Sequence, residues 1–132
     1  MVDITNFVYN KIKEATLDVA KTAKVEKQYQ STATSFPYVT IIDIDNTEIS
    51  HTLDYQQRQS HVSWQIDIYA NGGMREITAK KIAKAISEIM EDELHMRRVT
   101  AKPVTNVADT TIYRYMMIYD CKLDDDTQLI YS

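Results

Sequence analysis

Ten residues near the middle of the chain leave little freedom in how it folds. Val62, Trp64, Ile66, Ile68 and Ala70 alternate with His61, Ser63, Gln65, Asp67 and Tyr69. Successive side chains of a strand point to opposite faces. The stretch therefore reads as a strand with one apolar face and one mostly polar face, the pattern of an antiparallel sheet packed on one side. Such a face has to be covered, so the chain must also supply helices and partner strands.

Residues 4–21 supply the first helix. Ile4, Phe7, Val8, Ile12, Ala15 and Val19 recur at spacings of three and four and form one apolar stripe. Asp3 or Thr5 stands where an N-cap belongs. Leu17 lies off the stripe, so either the buried face is wide or Leu17 meets another subunit. Asn71-Gly72-Gly73 ends the central strand, and a second helix is expected over 74–94. Its core stripe is Ile77, Ile82, Ala85, Ile86, Ile89, Met90 and Leu94, while Glu76, Lys80, Glu88 and Asp92 mark its wet side.

The remaining strands follow from β-branched and alternating runs. A short one is expected at 25–30, then a polar turn at 31–35 before Phe36-Pro37. The run Tyr-Val-Thr-Ile-Ile-Asp-Ile-Asp-Asn makes 38–46 a strand, and the polar residues 46–60 read as a long hairpin connection. At about fifteen residues it exceeds the usual hairpin loop, and such loops are often functional. A strand is expected at 96–102, with Pro103 at its end. The last runs over 112–123, where Tyr113, Tyr115, Met117, Tyr119, Cys121 and Leu123 share a face opposite Arg114, Asp120 and Lys122. The order of elements argues an α+β fold: a two-layer sandwich in which two helices pack a mostly antiparallel sheet, as a single domain over 1–132.

Composition narrows the function. The chain has 132 residues, enough for one core and too few for two. A net charge of −4 weighs against a protein built to grip phosphates. Lys80, Lys81 and Lys84 sit beside Glu76 and Glu88 on one helix and read as a solvated face. With the one cysteine, Cys121, an internal disulfide is impossible, which suits a reducing cytosol. No apolar run approaches the roughly 20 residues of a membrane span, and Met-Val-Asp-Ile-Thr-Asn lacks the features of a signal peptide. A soluble protein assembled in the cytoplasm is expected.

One motif bears on catalysis. Ile41-Ile42-Asp43-Ile44-Asp45-Asn46-Thr47 resembles the apolar strand and D-x-D-x-T signature of haloacid-dehalogenase-type phosphatases. There the first Asp attacks phosphorus and the second is acid and base, with Mg²⁺ neutralising charge. Asp43 and Asp45 would share a side of the strand; Thr110, Lys122 and Asp124-Asp125 are the available remaining parts. Context opposes this reading. A strand follows the motif where a βα unit belongs, Asn46 replaces the usual glycine, and Lys122 falls next to Asp124 instead of apart from it.

No other chemistry assembles. His51, His61 and His95 lack metal-ligand spacing, Asp124-Asp125-Asp126 has no EF-hand context, and Cys121 sits on the expected core face as a buried thiol. No enzyme, no cofactor and no metal is expected. The nine tyrosines carry a weaker signal. Tyr113, Tyr115 and Tyr119 belong to the core by alternation, whereas Tyr9, Tyr55, Tyr69 and Tyr131 are candidates for partial exposure at an interface.

Taken in order, an N-terminal helix, the strand after Phe36-Pro37-Tyr38-Val39, a long loop, and His61-Val-Ser-Trp-Gln-Ile-Asp-Ile-Tyr69 come first. The helix Ile77-Thr-Ala-Lys-Lys-Ile-Ala-Lys-Ala-Ile86 and the strand from Tyr113 to Leu123 complete the pattern. The arrangement resembles the tail terminator (tail completion) proteins of long-tailed phages, also called minor tail or head–tail joining proteins, over nearly the whole chain. The resemblance implies a two-layer α+β subunit of a hexameric ring in the virion tail. That ring stops tail-tube polymerisation and presents a surface to the head connector. It implies a lumen through which DNA passes without specific binding, for which a net acidic chain is suited, and no catalytic residues.

Contact residues are not fixed by the family's motif. From chemistry, Asp45, Glu48, Asp54 and Arg58 in or near the long loop are candidates for inter-subunit or tube contacts, and Leu129, Ile130 and Tyr131 for docking on a neighbour. The alternative is a mobile surface loop and a fraying tail. The runner-up readings are a neck adaptor or stopper between portal and tail and, from another class, a small Mg²⁺-dependent phosphatase using Asp43 and Asp45. A regulatory domain of a bacterial host is the third.

Overall fold

The computed structural model describes residues 4–27, 36–51, 58–105, 109–124 and 130–131, with side chains described for 4–27, 36–44, 61–105 and 109–122. Its elements run α1 (Thr5–Val19), β1 (Lys24–Glu26), β2 (Tyr38–His51), β3 (Arg58–Ala70), α2 (Arg75–Ser87), a π-helical turn (Glu88–Glu93), β4 (Arg97–Thr105), β5 (Tyr113–Asp124) and β6 (Ile130–Tyr131). The strands form one sheet in the order β1-β2-β3-β5-β4, with β6 paired to β5. Every pairing is antiparallel except β1 with β2. The expected α+β sandwich is the observed one.

Register explains why β3 lies at the centre. Ile66 stands opposite Ile41 on one side and Met117 on the other, and Ile68 opposite Val39 and Tyr115. These rows build a continuous apolar surface, against which α1 contributes Val8 and Ile12 and α2 contributes Ala79, Ile82, Ala83 and Ile86. Trp64 is the largest side chain in this core and is 1% exposed. Its Nε1, with the Thr16 and Thr40 hydroxyls, is buried without a hydrogen-bond partner among the described residues. Tyr119 tethers the sheet to the π-turn by donating to Glu91 Oε2 at 2.8 Å.

Several expectations need correction. The connection after β2 is shorter than the polar run 46–60 suggested, because the strands continue to His51 and Arg58 and pair there. A strand with polar residues on both faces carries no alternation to betray it. Only 52–57 separate the two strands, and these lie outside the described residues. β1 runs over Lys24–Glu26, one residue earlier than the expected start at 25. Residues 28–35, with the rest of that strand and the expected turn, lie outside the described residues. β4 continues to Thr105 through Pro103. Pro103 is tolerated because β4 is an edge strand.

The helices differ as well. α1 begins at Thr5 with Ile4 in the N-cap position, where no side chain caps the helix; Asp3 lies outside the described residues. Its buried stripe is Val8, Ile12 and Thr16, leaving Phe7 and Val19 exposed. α2 stops at Ser87 and widens into the π-turn, which His95 closes in the left-handed region at φ 56°. Ile77, expected in the core stripe, is 50% exposed on the first turn, and Ala79 and Ala83 take the core positions. Gly72, at φ 85°, makes the turn out of β3 that a Cβ would strain. Its carbonyl accepts from the Arg75 amide and side chain.

Candidate functional site

The nominated residues whose backbone is described lie in strands that pair toward one end of the sheet. Backbone register sets Asp45 opposite Ser63, Glu48 opposite Ser60 and Arg58 opposite His51. Ser60 also stands opposite Leu123, which pairs in turn with Ile130, while Lys122 pairs with Tyr131. Glu48, Ser60, Leu123 and Ile130 thus form one row across four strands, about 14 Å wide at ordinary strand spacing. The side chains of Asp45, Glu48, Arg58, Ile130 and Tyr131, and the whole of Asp54 and Leu129, lie outside the described residues. The hairpin patch and the C-terminal patch, distant in sequence, are neighbours in the sheet. They do not by themselves supply the two separate surfaces that a head-to-tail ring requires.

The phosphatase motif is broken by its own strand. A β-bulge between Asp43 and Asp45 sets Asp43 opposite Trp64 and Asp45 opposite Ser63, adjacent residues on β3 that point to opposite faces. The backbone register therefore sets positions 43 and 45 against residues of opposite faces, contrary to the shared side expected from simple alternation. The parallel pairing of β2 with β1 covers Tyr38–Thr40 and stops short of the motif, beside which β2 pairs with antiparallel β3. Among the described residues no group of three His, Cys, Asp or Glu side chains is gathered as a metal site.

Sequence reasoning missed the most organised polar chemistry, which lies on the sheet face turned away from the core. Asp67, 2% exposed, accepts from Arg114 Nε at 2.9 Å and from Gln65 Nε2 at 2.9 Å. The Arg114 guanidinium lies 5.7 Å from the ring centre of Tyr69, which meets Tyr38 edge-on. Asp120, 4% exposed, is gripped in a fork by Arg97, with Nε at 2.9 Å and Nη2 at 2.6 Å, and is contacted by His61 Nε2 at 2.9 Å.

The Arg97 hydrogen bond holds the Asp120 carboxyl below the usual carboxylate range; burial opposes this, and His61 reinforces it. Asp120 is thus held as an ionised acceptor, and both carboxylates bond between strands: Asp67 links β3 to β5, and Asp120 links β5 to β4 and β3. The arrangement pins register. The charged residues were visible in sequence, but their partners are set by strand pairing, for which the chain holds no local signal.

Cys121 matches the expectation of a buried thiol. It is 1% exposed, and burial pushes its thiol up to about 12, so it is not a thiolate at neutral pH. Tyr113 and Tyr115 are partly buried against the core and Tyr119 fully buried. Tyr69 is more enclosed than expected, at 7% exposed, whereas Tyr9 is half-buried and donates to the Val25 carbonyl at 2.8 Å. Tyr55 and the Tyr131 side chain lie outside the described residues.

No family model and no curated protein matches the chain. Among solved structures, a chain of "Virion of native gene transfer agent (GTA) particle" superposes with a TM-score of 0.64 at 14% identity, over 88% of this chain and 93% of that one. At that identity the likeness is one of fold.

Proposed function

We propose that the chain is a structural subunit of a tailed-phage or phage-derived particle: a tail terminator that caps the tail tube as a hexameric ring and joins tail to head. The observation carrying this reading is the superposition onto a chain of a phage-like virion, which covers nearly all of both chains. A match over nearly the full length of both chains is a likeness of the whole fold, not of a shared motif. The sequence resemblance to tail terminators adds the position within the particle. On this reading the protein is no enzyme, works in the virion after assembly in the host cytoplasm, and contacts tube and connector proteins around a lumen that DNA traverses.

Light scattering of the purified protein, alone and with tail-tube protein, tests the proposal. A mass near six subunits, alone or once tube protein is added, is expected. A monomer indifferent to tube protein at high concentration would sink it. The virion likeness serves a neck adaptor or stopper equally well, and the partner recovered, connector or tube, separates the two.

A further inference from the structure

A cleft of about 680 Å³ runs between α1 and the end of α2. Its floor is apolar, with Leu17 from α1 and Ile89 from the π-turn. Its rim carries Glu14, Asp18, Glu88 and Glu93 against one cation, Lys11, which pairs with Glu93 at 2.6 Å. Four carboxylates less one ammonium leave three net negative charges around an apolar slot. Such a surface suits an apolar knob flanked by cations.

The chain carries such a knob elsewhere. Edge strand β4 has a register shift between Arg98 and Thr100, so Val99 is an extra residue that opposes no partner on β5. A bulge re-aims a side chain, and Val99 is 51% exposed. Arg97, Arg98 and Lys102 flank it on the same strand and are all exposed. Asp120 grips Arg97 in a fork and so holds this end of the strand in place. The bulge, Pro103 and Lys102 also discourage another strand from pairing along this edge, which leaves side-chain docking as its mode of contact.

We propose that Val99 and its flanking cations on one copy seat in the acidic cleft between α1 and α2 of the next copy. The proposal rests on the ring reading above and assigns its subunit contact. Knob and cleft share no residue, so the contact is heterologous and each subunit offers one of each, as a closed ring needs. Leu17, which fell off the core stripe of α1, becomes part of the cleft floor.

Charge reversal in the full-length chain tests the contact. The read-out is the protein concentration at half-assembly by light scattering, with tube protein present if the wild type needs it. Glu88→Lys in the cleft and Arg98→Glu on β4 are each expected to raise it about tenfold, the scale of one lost charge pair. The double variant, which restores opposite charges across every contact, is expected to return to within about threefold of wild type. Val99→Asp, adding a carboxylate among carboxylates, is expected to block assembly while the monomer keeps its circular dichroism. A wild-type ring indifferent to all three single changes overturns the contact alone, as does a double variant no better than its parents. A wild type that stays monomeric with and without tube protein overturns the ring and the contact together.

Discussion

The two faces of the sheet are buried by different means. Toward the helices, Val39, Ile41, Trp64, Ile66, Ile68 and Met117 join Ile82 and Ile86 in one buried apolar cluster. On the other face, Thr40, Ser63, Asp67 and Asp120 are also nearly inaccessible, and the two carboxylates among them are satisfied by arginine, glutamine and histidine. Burial on the first face is non-directional and scales with area. On the second it depends on geometry, because a buried carboxylate is tolerated only while its partners stay in place. The helix face therefore supplies stability, and the open face decides which strands are neighbours.

The largest effect should come from the helix face. Trp64→Ala removes the biggest buried side chain and is expected to destabilise by about 3–5 kcal/mol, read from the urea midpoint. A loss below about 1 kcal/mol would mean that the helix layer is not the main source of stability. Asp67→Ala tests the other face. It leaves the Arg114 and Gln65 donors without their acceptor and should cost about 1–3 kcal/mol. If it costs as much as Trp64→Ala, the division of labour between the faces fails.

Acid sharpens the same contrast. The folded Asp120 carboxyl is held low by Arg97, while an unfolded aspartate titrates near about 3.9. A depressed folded value means that this contribution is complete above about pH 4 and is lost as pH falls through the folded value. The wild type should therefore exceed Asp120→Asn in stability at pH 7, with the gap shrinking by pH 3. Urea midpoints at the two pH values measure it, and a gap independent of pH would show that the carboxylate charge does nothing there.

How much of this was legible in sequence depended on whether a signal was local. The alternation through Val62, Trp64, Ile66 and Ile68 marked the central strand and its buried face, and the 113–123 alternation marked a second strand, whose pairing with the first only the structure gives. The polar continuation to His51 and Arg58 was invisible because no apolar side distinguished strand from loop. The π-turn at Glu88–Glu93 was hidden because Ile89, Met90 and Leu94 keep nearly helical spacing. The insertion of β5 between β3 and β4 joins residues distant in sequence, so the Asp120–Arg97 fork could not be foreseen. Of the nominated contact residues, only the backbone placement of Asp45, Glu48, Arg58, Ile130 and Tyr131 is given by the fold.

The smallest effect discriminates between periodicity and position on a helix. Ile77 and Ile82 are both isoleucines of α2, and both fit the apolar stripe read from sequence. Ile82 is fully buried, whereas Ile77 lies on the first turn, half exposed. The first turn emerges from Gly72 and Gly73 beyond the end of β3, where Ala70 is the strand's last residue, so there is less sheet beneath it to cover. Ile82→Ala should cost about 2–5 kcal/mol by opening a cavity, and Ile77→Ala should stay within about 0.5 kcal/mol of wild type. Paired urea denaturation of the two variants reads the difference directly. Equal costs would mean that Ile77 is covered in solution, and the covering surface would then have to come from another chain, detectable as a concentration dependence of the Ile77→Ala effect.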